Sequence, residues 1–309
     1  PQTAVTHLTT VLANGQPALV LADQAHLGYN AQAPRAYPTM LPILVYGYDE
    51  AANLVQIADR AQIGLTSTPA ELATARAAHA PTKHQLSTLI PPPNFDHLPT
   101  AVEESLRACA ALFLDAPPKG PAENFGLAAL QKWANLLVDG KDKRGWPKLF
   151  PPGPRLAQAL SAAFEHIALG GTFAATNPGA ARPLYADFID EAAALLNRPA
   201  LREVAAQFRS SGQRWDELAA TLLPDTIPAL QATRQLLLQR QQLFIQQGNA
   251  SMDERQAINQ QLAALKESTD KEFPMTEGEV IALRDNLRDQ LLRLHDQEQA
   301  AALHLRELC

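Results

Sequence analysis

Residues 41–58 read LPILVYGYDEAANLVQIA, and this stretch decides the fold of the first third of the chain. Its first half is rich in β-forming residues, and polar and apolar residues alternate after the turn at Asp49 and Glu50. We therefore predict a β-hairpin here. A short apolar run at residues 17–22 has the length of a further strand, which would extend the hairpin into a small sheet.

Helical periodicity dominates the rest of the sequence, and strand signals end near residue 79. Four segments have the spacing of a capping box, in which a Ser or Thr and the Glu three residues later satisfy backbone N–H groups; they begin at Thr68, Thr100, Ser251 and Thr276. We predict an α+β fold, predominantly α, with a small antiparallel sheet packed on a helical domain and a C-terminal helical arm. The predicted divisions are residues 1–98, 99–225 and 226–309.

Composition and charge narrow the classes of function. Hydrophobic residues make up 46% of the 309 positions, so the chain can bury a core. Lys and Arg number 26 against 32 Asp and Glu, and the net charge of -6 disfavours nucleic acid as a partner. The sequence has neither an apolar run of membrane length nor a recognisable leader, and Cys109 and Cys309 suggest no disulfide framework. We expect a cytoplasmic protein without a membrane, metal or cofactor partner.

A search for self-sufficient catalytic motifs finds none. The sequence contains no P-loop, no His-Glu-x-x-His and no Gly-x-Ser-x-Gly, and its eight histidines have no metal-ligand spacing. Cys109 lies among small apolar residues, which favours a buried thiol over a nucleophile. Composition and periodicity alone therefore leave the function open.

A resemblance to a known family takes the analysis further. The segments GQPALVLAD at 15–23, LGY at 27–29, VYGYDE at 45–50 and ADR at 58–60 resemble the butirosin biosynthesis protein H family. In that family a helical domain of unknown function follows. Three segments of this sequence resemble that helical domain: Gly170-Gly171, RPLYADF at 182–188 and WDELA at 215–219. The ordered set of motifs covers about residues 8–225.

The resemblance implies a papain-like fold and acyl-transfer chemistry. The family's named member moves an aminoacyl group from a carrier-protein thioester to an aminoglycoside amine, which requires a thiolate, a His base and an orienting carboxylate or amide. The family's Cys lies on a helix ahead of the segment at which this sequence begins, and residues 1–108 contain no cysteine. The position of the His falls at Leu41 or Pro42, neither of which can act as a base. Only the third position is kept, as Asp59.

These matches imply a degenerate relative of the acyltransferases of natural-product biosynthesis, a pseudoenzyme that binds an acyl-carrier protein or a small amine. Its implied site residues are Asp59 at the catalytic position and Asp23, Tyr29, Arg182 and Tyr185 for substrate binding. No metal or cofactor is implied.

Other interpretations of the same residues stay open. Asp59 is alternatively a strand-end carboxylate paired with Arg60 or with a backbone turn. Arg182 and Tyr185 share one helix face, where they either receive an anionic group or fix the turn at Gly170-Gly171. The chain is alternatively an interaction protein that forms a homodimer or docks a partner through residues 226–309. It is, as a second alternative, an active acyltransferase or peptidase completed by a Cys-bearing segment from elsewhere.

Two structural observations would separate these classes. A cleft rimmed by Asp23, Asp59, Arg182 and Tyr185 would favour a substrate site. An exposed apolar seam on the last helix would favour docking. The residues of that seam are Leu283, Leu287, Leu291 and Leu294.

Overall fold

The computed structural model describes residues 2–30, 40–115, 120–170 and 178–309. Gly171 of the predicted turn lies outside them. The strands of the described residues form one antiparallel sheet, in the order β4-β3-β2-β1-β5. Their bounds are β1 Ala18–Asp23, β2 Met40–Asp49, β3 Leu54–Ala58, β4 Leu65–Ser67 and β5 Leu86–Thr88.

Helices make up most of the remaining described chain, so the predicted α+β fold with a predominance of helix is confirmed. The first helices are α1 Gln2–Ala13, α2 Pro69–Ala77, α3 Leu98–Leu114, α4 Gly126–Val138, α5 Trp146–Leu149 and α6 Pro154–Ala168. The later ones are α7 Arg182–Leu195, α8 Leu201–Leu222, α9 Pro228–Gln247, α10 Met252–Lys271 and α11 Glu277–Leu308.

The predicted hairpin is confirmed as β2 and β3. The two strands pair antiparallel from Asp49 opposite Leu54 to Leu44 opposite Ala58, with a bulge between Val45 and Gly47. A bulge inserts one extra residue into one strand and bends it locally. Asp59 follows the last residue of β3 directly.

The chain divides into two compact units. The first consists of Pro1–Pro93 with Leu236–Ala264, and the second of Asn94–Gln235 with Leu265–Cys309. Each unit therefore combines one long segment with a piece of residues 236–309. The predicted division at residues 98 and 225 stays a prediction.

The core of the first unit lies against the sheet. Alternate residues of β1 and β2 point into it, and it also contains Leu8 of α1, Leu72 of α2 and Phe244 of α9. Helix α2 begins with the predicted capping box, in which Glu71 N donates to the Thr68 hydroxyl and Glu71 accepts from Thr68 N. Burial of these side chains provides the main stabilisation of the unit, at roughly 25 cal/mol per Å² of apolar surface.

The core of the second unit is made by helices. Residues of α3, α7, α8 and α11 form it, including Leu106, Ile189, Phe208 and Leu305. The capping box predicted at Thr276 opens α11. Gly212, inside α8, allows close packing, since a Cβ at this position would lie 2.9 Å from Cδ of Pro183.

Three local predictions were wrong. Strand content does not end near residue 79, because β5 pairs with β1 at residues 86–88. Helix α3 begins at Leu98, so Thr100 lies inside its first turn, with Pro99 at a position where a missing N–H costs nothing. The Ser251 hydroxyl donates to the carbonyl of Gly248 and accepts from Arg255 instead of forming a capping box.

The predicted apolar seam of α11 is not exposed. Leu283 is 8% exposed, and Leu287, Leu291 and Leu294 are 1% exposed or less. They pack within the second unit, where α11 contacts α3, α4 and α8. The observation that would have favoured docking through these leucines is therefore absent in this part of the chain.

Candidate functional site

Asp59 is the acceptor at the centre of a buried polar cluster in the first unit. Its side chain is 4% exposed. Oδ2 accepts from Nε2 of Gln24 at 3.2 Å and from the Tyr29 hydroxyl at 3.1 Å. Nε of Arg60 donates to Oδ1 at 3.4 Å, and Nη2 of Arg60 donates to Oε1 of Gln24 at 2.6 Å. The carboxylate is thus fixed by its neighbours, including the Arg60 that the alternative interpretation paired with it.

Phe244 and Arg255 hold Tyr29 in place. The Phe244 ring stacks on the Tyr29 ring with centroids 6.4 Å apart. Arg60 and Arg255 each place a guanidinium over the Phe244 ring. Nη2 of Arg255 donates to the Tyr29 carbonyl at 2.9 Å, and its Nε donates to the Ser251 hydroxyl at 3.0 Å. Burial lowers the pKa of Arg255, whose charge is satisfied here by carbonyl and hydroxyl oxygens and a ring face.

The hydrogen bonds of this cluster serve to hold the structure together. Burial, and then the charge of Asp59, raises the pKa of Tyr29, so the phenol remains protonated and donates to Asp59. Leu41 and Pro42, at one of which the resemblance would place a base, are both in β2: Leu41 is 8% exposed and paired with Ala22, and Pro42 is paired with Leu21. Neither residue can accept a proton from a nucleophile.

Asp23 has a local structural role. It is 6% exposed and caps the short 3-10 turn Gln24–His26, because Oδ1 accepts from the backbone N–H of Ala25 at 3.2 Å. Nε2 of His26 lies 3.9 Å from Oδ2. A carboxylate at the start of a helical turn is a common way to satisfy the unpaired N–H groups there.

Arg182 and Glu298 form a buried ion pair in the second unit. The Glu298 side chain is 0% exposed and that of Arg182 is 22% exposed. Nε and Nη2 of Arg182 donate to the two carboxylate oxygens at 2.6 and 3.0 Å. The Ser211 hydroxyl and Nε1 of Trp215 donate to Oε1 at 2.7 and 2.8 Å.

The pKa of Glu298 reflects this arrangement. Burial acts to raise it, but the hydrogen bond and charge of Arg182, with the donors Ser211 and Trp215, hold it below its usual value. Glu298 is therefore ionised near neutral pH. Arg182 also stacks over the rings of Phe113 and Trp215, at 5.2 and 5.7 Å from their centroids.

Tyr185 lies three residues after Arg182 but takes part in packing. Its ring meets Phe208 edge-on at 4.9 Å and stacks on Phe188 at 6.1 Å. Burial, and then the neighbouring Cys109 thiol, raises the pKa of Tyr185. The Tyr185 phenol therefore stays neutral.

A cavity of about 580 Å³ opens beside the ion pair, inside the second unit. Small-molecule sites typically measure about 300–1,000 Å³ and are mostly apolar, with a few polar groups that fix orientation. This cavity has that composition, with the charged pair on one wall, the imidazole of His166, and otherwise aromatic and aliphatic side chains. Its lining includes Leu112, Phe113, Leu130, Trp133, Ala163, His166, Ile167, Arg182, Trp215 and Glu298.

A left-handed turn borders the cavity. Gly179, Ala180 and Ala181 have φ values of 66°, 51° and 63°. The turn is held by Gly179 N, which donates to Oδ1 of Asp216 at 2.7 Å, and by Nη1 of Arg182, which donates to the Ala180 carbonyl at 3.1 Å. Because alanine disfavours this left-handed backbone conformation, Ala180 and Ala181 are each strained by about 1 kcal/mol, and surrounding contacts must offset this cost.

The sequence-predicted site residues thus fall into two groups. Asp59 and Tyr29 are hydrogen-bonded in the first unit, which also contains Asp23. Arg182 and Tyr185 belong to the second unit, and only Arg182 lines the cavity.

Sequence reasoning missed Glu298, the residue that neutralises Arg182. A signal for it exists, since Glu298 follows Leu291 and Leu294 at helical spacing and precedes Ala301, Ala302 and Leu305. A lone acid on the apolar face of a helix indicates a buried charge that needs a partner. Trp133 and Ala163 carried no such signal, because lining a cavity depends on how helices pack.

Within residues 2–30, 40–115, 120–170 and 178–309, His, Cys, Asp and Glu side chains form no group of three or more that could hold a metal ion. Among the same residues, the helices lack the combination of length and hydrophobicity that crossing a bilayer requires.

The two units together define a predominantly helical α+β protein with a small antiparallel sheet and a cavity in its helical unit. Comparison with known families gives a match over residues 70–236 to the domain of unknown function DUF4872. The chain therefore belongs to the DUF4872 family. No curated protein matches it.

Proposed function

We propose that this chain is a non-catalytic binding protein, a degenerate relative of the papain-like aminoacyl transferases, and that it holds a small ligand in the cavity of its helical unit. The cavity, with an ion pair on a mainly apolar wall, is the observation that carries the proposal. Its volume and lining are those of a small-molecule site.

The relation to the butirosin biosynthesis protein H family supports the non-catalytic half of the proposal. DUF4872 covers much of the helical part of that resemblance but carries no assigned activity. At the base position of the papain-like half stands Leu41 or Pro42, and loss of the base removes most of the rate enhancement in triad enzymes. Asp59, engaged with Gln24, Tyr29 and Arg60, acts in this proposal as a structural acceptor.

The alternatives have less support. Docking or dimerisation through residues 226–309 would need an apolar surface there, but the four leucines of the predicted seam are buried. Completion of an acyltransferase by a Cys-bearing segment would still leave the base position without an imidazole. The proposal keeps an acyl-carrier protein or a small amine as a partner only in one sense, namely that either one could supply the ligand of the cavity.

The test uses a neutral apolar dye, N-phenyl-1-naphthylamine, whose fluorescence rises on transfer from water to an apolar site. We expect saturable binding to the full chain. Ala163→Trp, which fills the cavity, should abolish it. Ala162→Trp is the matched control, because Ala162 is exposed on the same helix and does not line the cavity.

Leu130→Trp, with the exposed Ala128→Trp as its control, repeats the test from α4 in case the first pair fails to fold. Far-UV circular dichroism checks the fold of every variant. The proposal is wrong if the wild-type chain does not bind the dye. It is also wrong if folded cavity-filling variants bind the dye as the wild type does.

A further inference from the structure

The charge balance of the cavity wall indicates what sort of ligand it accepts. Arg182 and Glu298 cancel each other, and the carboxylate is completely buried with four hydrogen bonds to its two oxygens. Besides this pair, His166 is the other ionisable side chain of the described lining, so a ligand with its own charge would meet at the ion pair two charges that already neutralise each other. Burial of an unpaired charge is costly, so such a ligand would bind weakly.

The hydrogen-bonding capacity that the ion pair has left is that of a donor. A guanidinium has five N–H groups. Among the described residues, Glu298 accepts two of those of Arg182 and the Ala180 carbonyl accepts one, which leaves two. Because Arg182 lines the cavity and is 22% exposed, an uncharged acceptor such as a carbonyl oxygen can meet it there.

The other walls suit a hydrocarbon or aryl body. Phe113, Leu130, Trp133, Ile167 and Trp215 present rings and aliphatic carbons to the cavity. Apolar groups of this kind stabilise a ligand by excluding water from it, without a further polar contact.

We infer that the ligand of this cavity is an uncharged, mainly apolar molecule with one carbonyl acceptor, such as a neutral amide, ester or ketone, and that Arg182 donates to that oxygen while Glu298 keeps charged head groups out. The inference rests on the proposed function of the cavity. It adds the chemical class of the ligand.

The experiment compares three probes of one chain length, decanamide, decanoate and decylammonium, as competitors of N-phenyl-1-naphthylamine on the full chain near neutral pH. The acid is ionised and the amine protonated under these conditions. We expect decanamide to displace the dye at concentrations at least roughly tenfold lower than either charged probe requires. This ratio is equivalent to a difference in binding free energy of about 1.4 kcal/mol or more.

A variant shows whether the ion pair causes the selectivity. In Arg182→Met/Glu298→Leu both charges are replaced by apolar side chains, so dye binding should persist while the advantage of decanamide over decanol, a neutral probe with a weaker acceptor, falls. An unchanged advantage in this folded variant would exclude Arg182 as the donor.

The outcomes separate the two proposals. If decanoate or decylammonium competes as well as decanamide, the ligand class is wrong while the cavity remains a binding site. If the dye itself does not bind, the proposed function is wrong. If decanamide fails to compete although the dye binds, the inference that the ligand carries a carbonyl acceptor is wrong.

Discussion

Removal of the Glu298 charge should destabilise the second unit strongly. Glu298→Gln keeps the size of the side chain but leaves Arg182 without its counter-ion and turns an amide N–H₂ toward existing donors. Breaking one partner of a buried ion pair typically costs about 3–5 kcal/mol. Because the Arg182 side chain keeps 22% exposure and water can reach part of it, we expect the lower end, about 3 kcal/mol.

Urea unfolding followed by tryptophan fluorescence measures this cost. All three tryptophans, Trp133, Trp146 and Trp215, belong to the second unit, so the signal reports on that unit. Asp285→Asn is the matched control, since it removes an exposed carboxylate from the same helix. The reasoning is refuted if Glu298→Gln changes the free energy of unfolding no more than this control.

The pH dependence of unfolding gives a second check. The folded-state pKa of Glu298 lies below its usual 4.5, so the stabilisation from its ionised form is complete above that value and is lost as pH falls through the folded pKa. The difference between wild type and Glu298→Gln should therefore shrink at acid pH. Replacing the whole pair, as in Arg182→Met/Glu298→Leu, should cost less than either single change, because no buried charge is left unpaired.

Three further changes test other parts of the structure. Gly212→Ala should destabilise the second unit by about 1–3 kcal/mol, as measured by urea unfolding followed by tryptophan fluorescence. The new Cβ would overlap Pro183, and the cost of this overlap should exceed the gain in helix propensity of about 1 kcal/mol. Tyr29→Phe should cost about 1–2 kcal/mol in urea unfolding followed by circular dichroism, because buried Asp59 loses a donor; no loss would mean that this hydrogen bond contributes nothing. Thr68→Ala should cost about 1 kcal/mol by the same measurement through loss of the α2 cap, with Thr68→Ser as the control that retains it.

The sheet and most helices could be predicted from sequence because their signals are local. Alternation across residues 41–58 identified the hairpin, and Thr68 and Thr276 marked two helix starts. The wrong predictions have tertiary causes. The three-residue strand β5 is too short for a periodic signal, and the Ser251 hydroxyl is used by Arg255 rather than by its own helix.

The candidate site was less accessible to sequence reasoning. The resemblance drew attention to Arg182, which the structure places on the cavity wall, and to Tyr185, which it places in the packing against Phe208. Glu298, the partner of Arg182, lies 116 residues further along the chain. The two residues meet because α7 and α11 both pack against α8. Spacing in sequence carries no information on such a contact.

The most direct test of the account is to locate a ligand in the cavity. A crystal structure of the full chain soaked with 10-bromodecanamide would show the bromine by its anomalous scattering. The account predicts a bromine peak inside the cavity among Phe113, Trp133 and Ile167, with the amide oxygen within hydrogen-bond distance of the Arg182 guanidinium. An empty cavity, with saturable binding of the probe elsewhere on the chain, would contradict it.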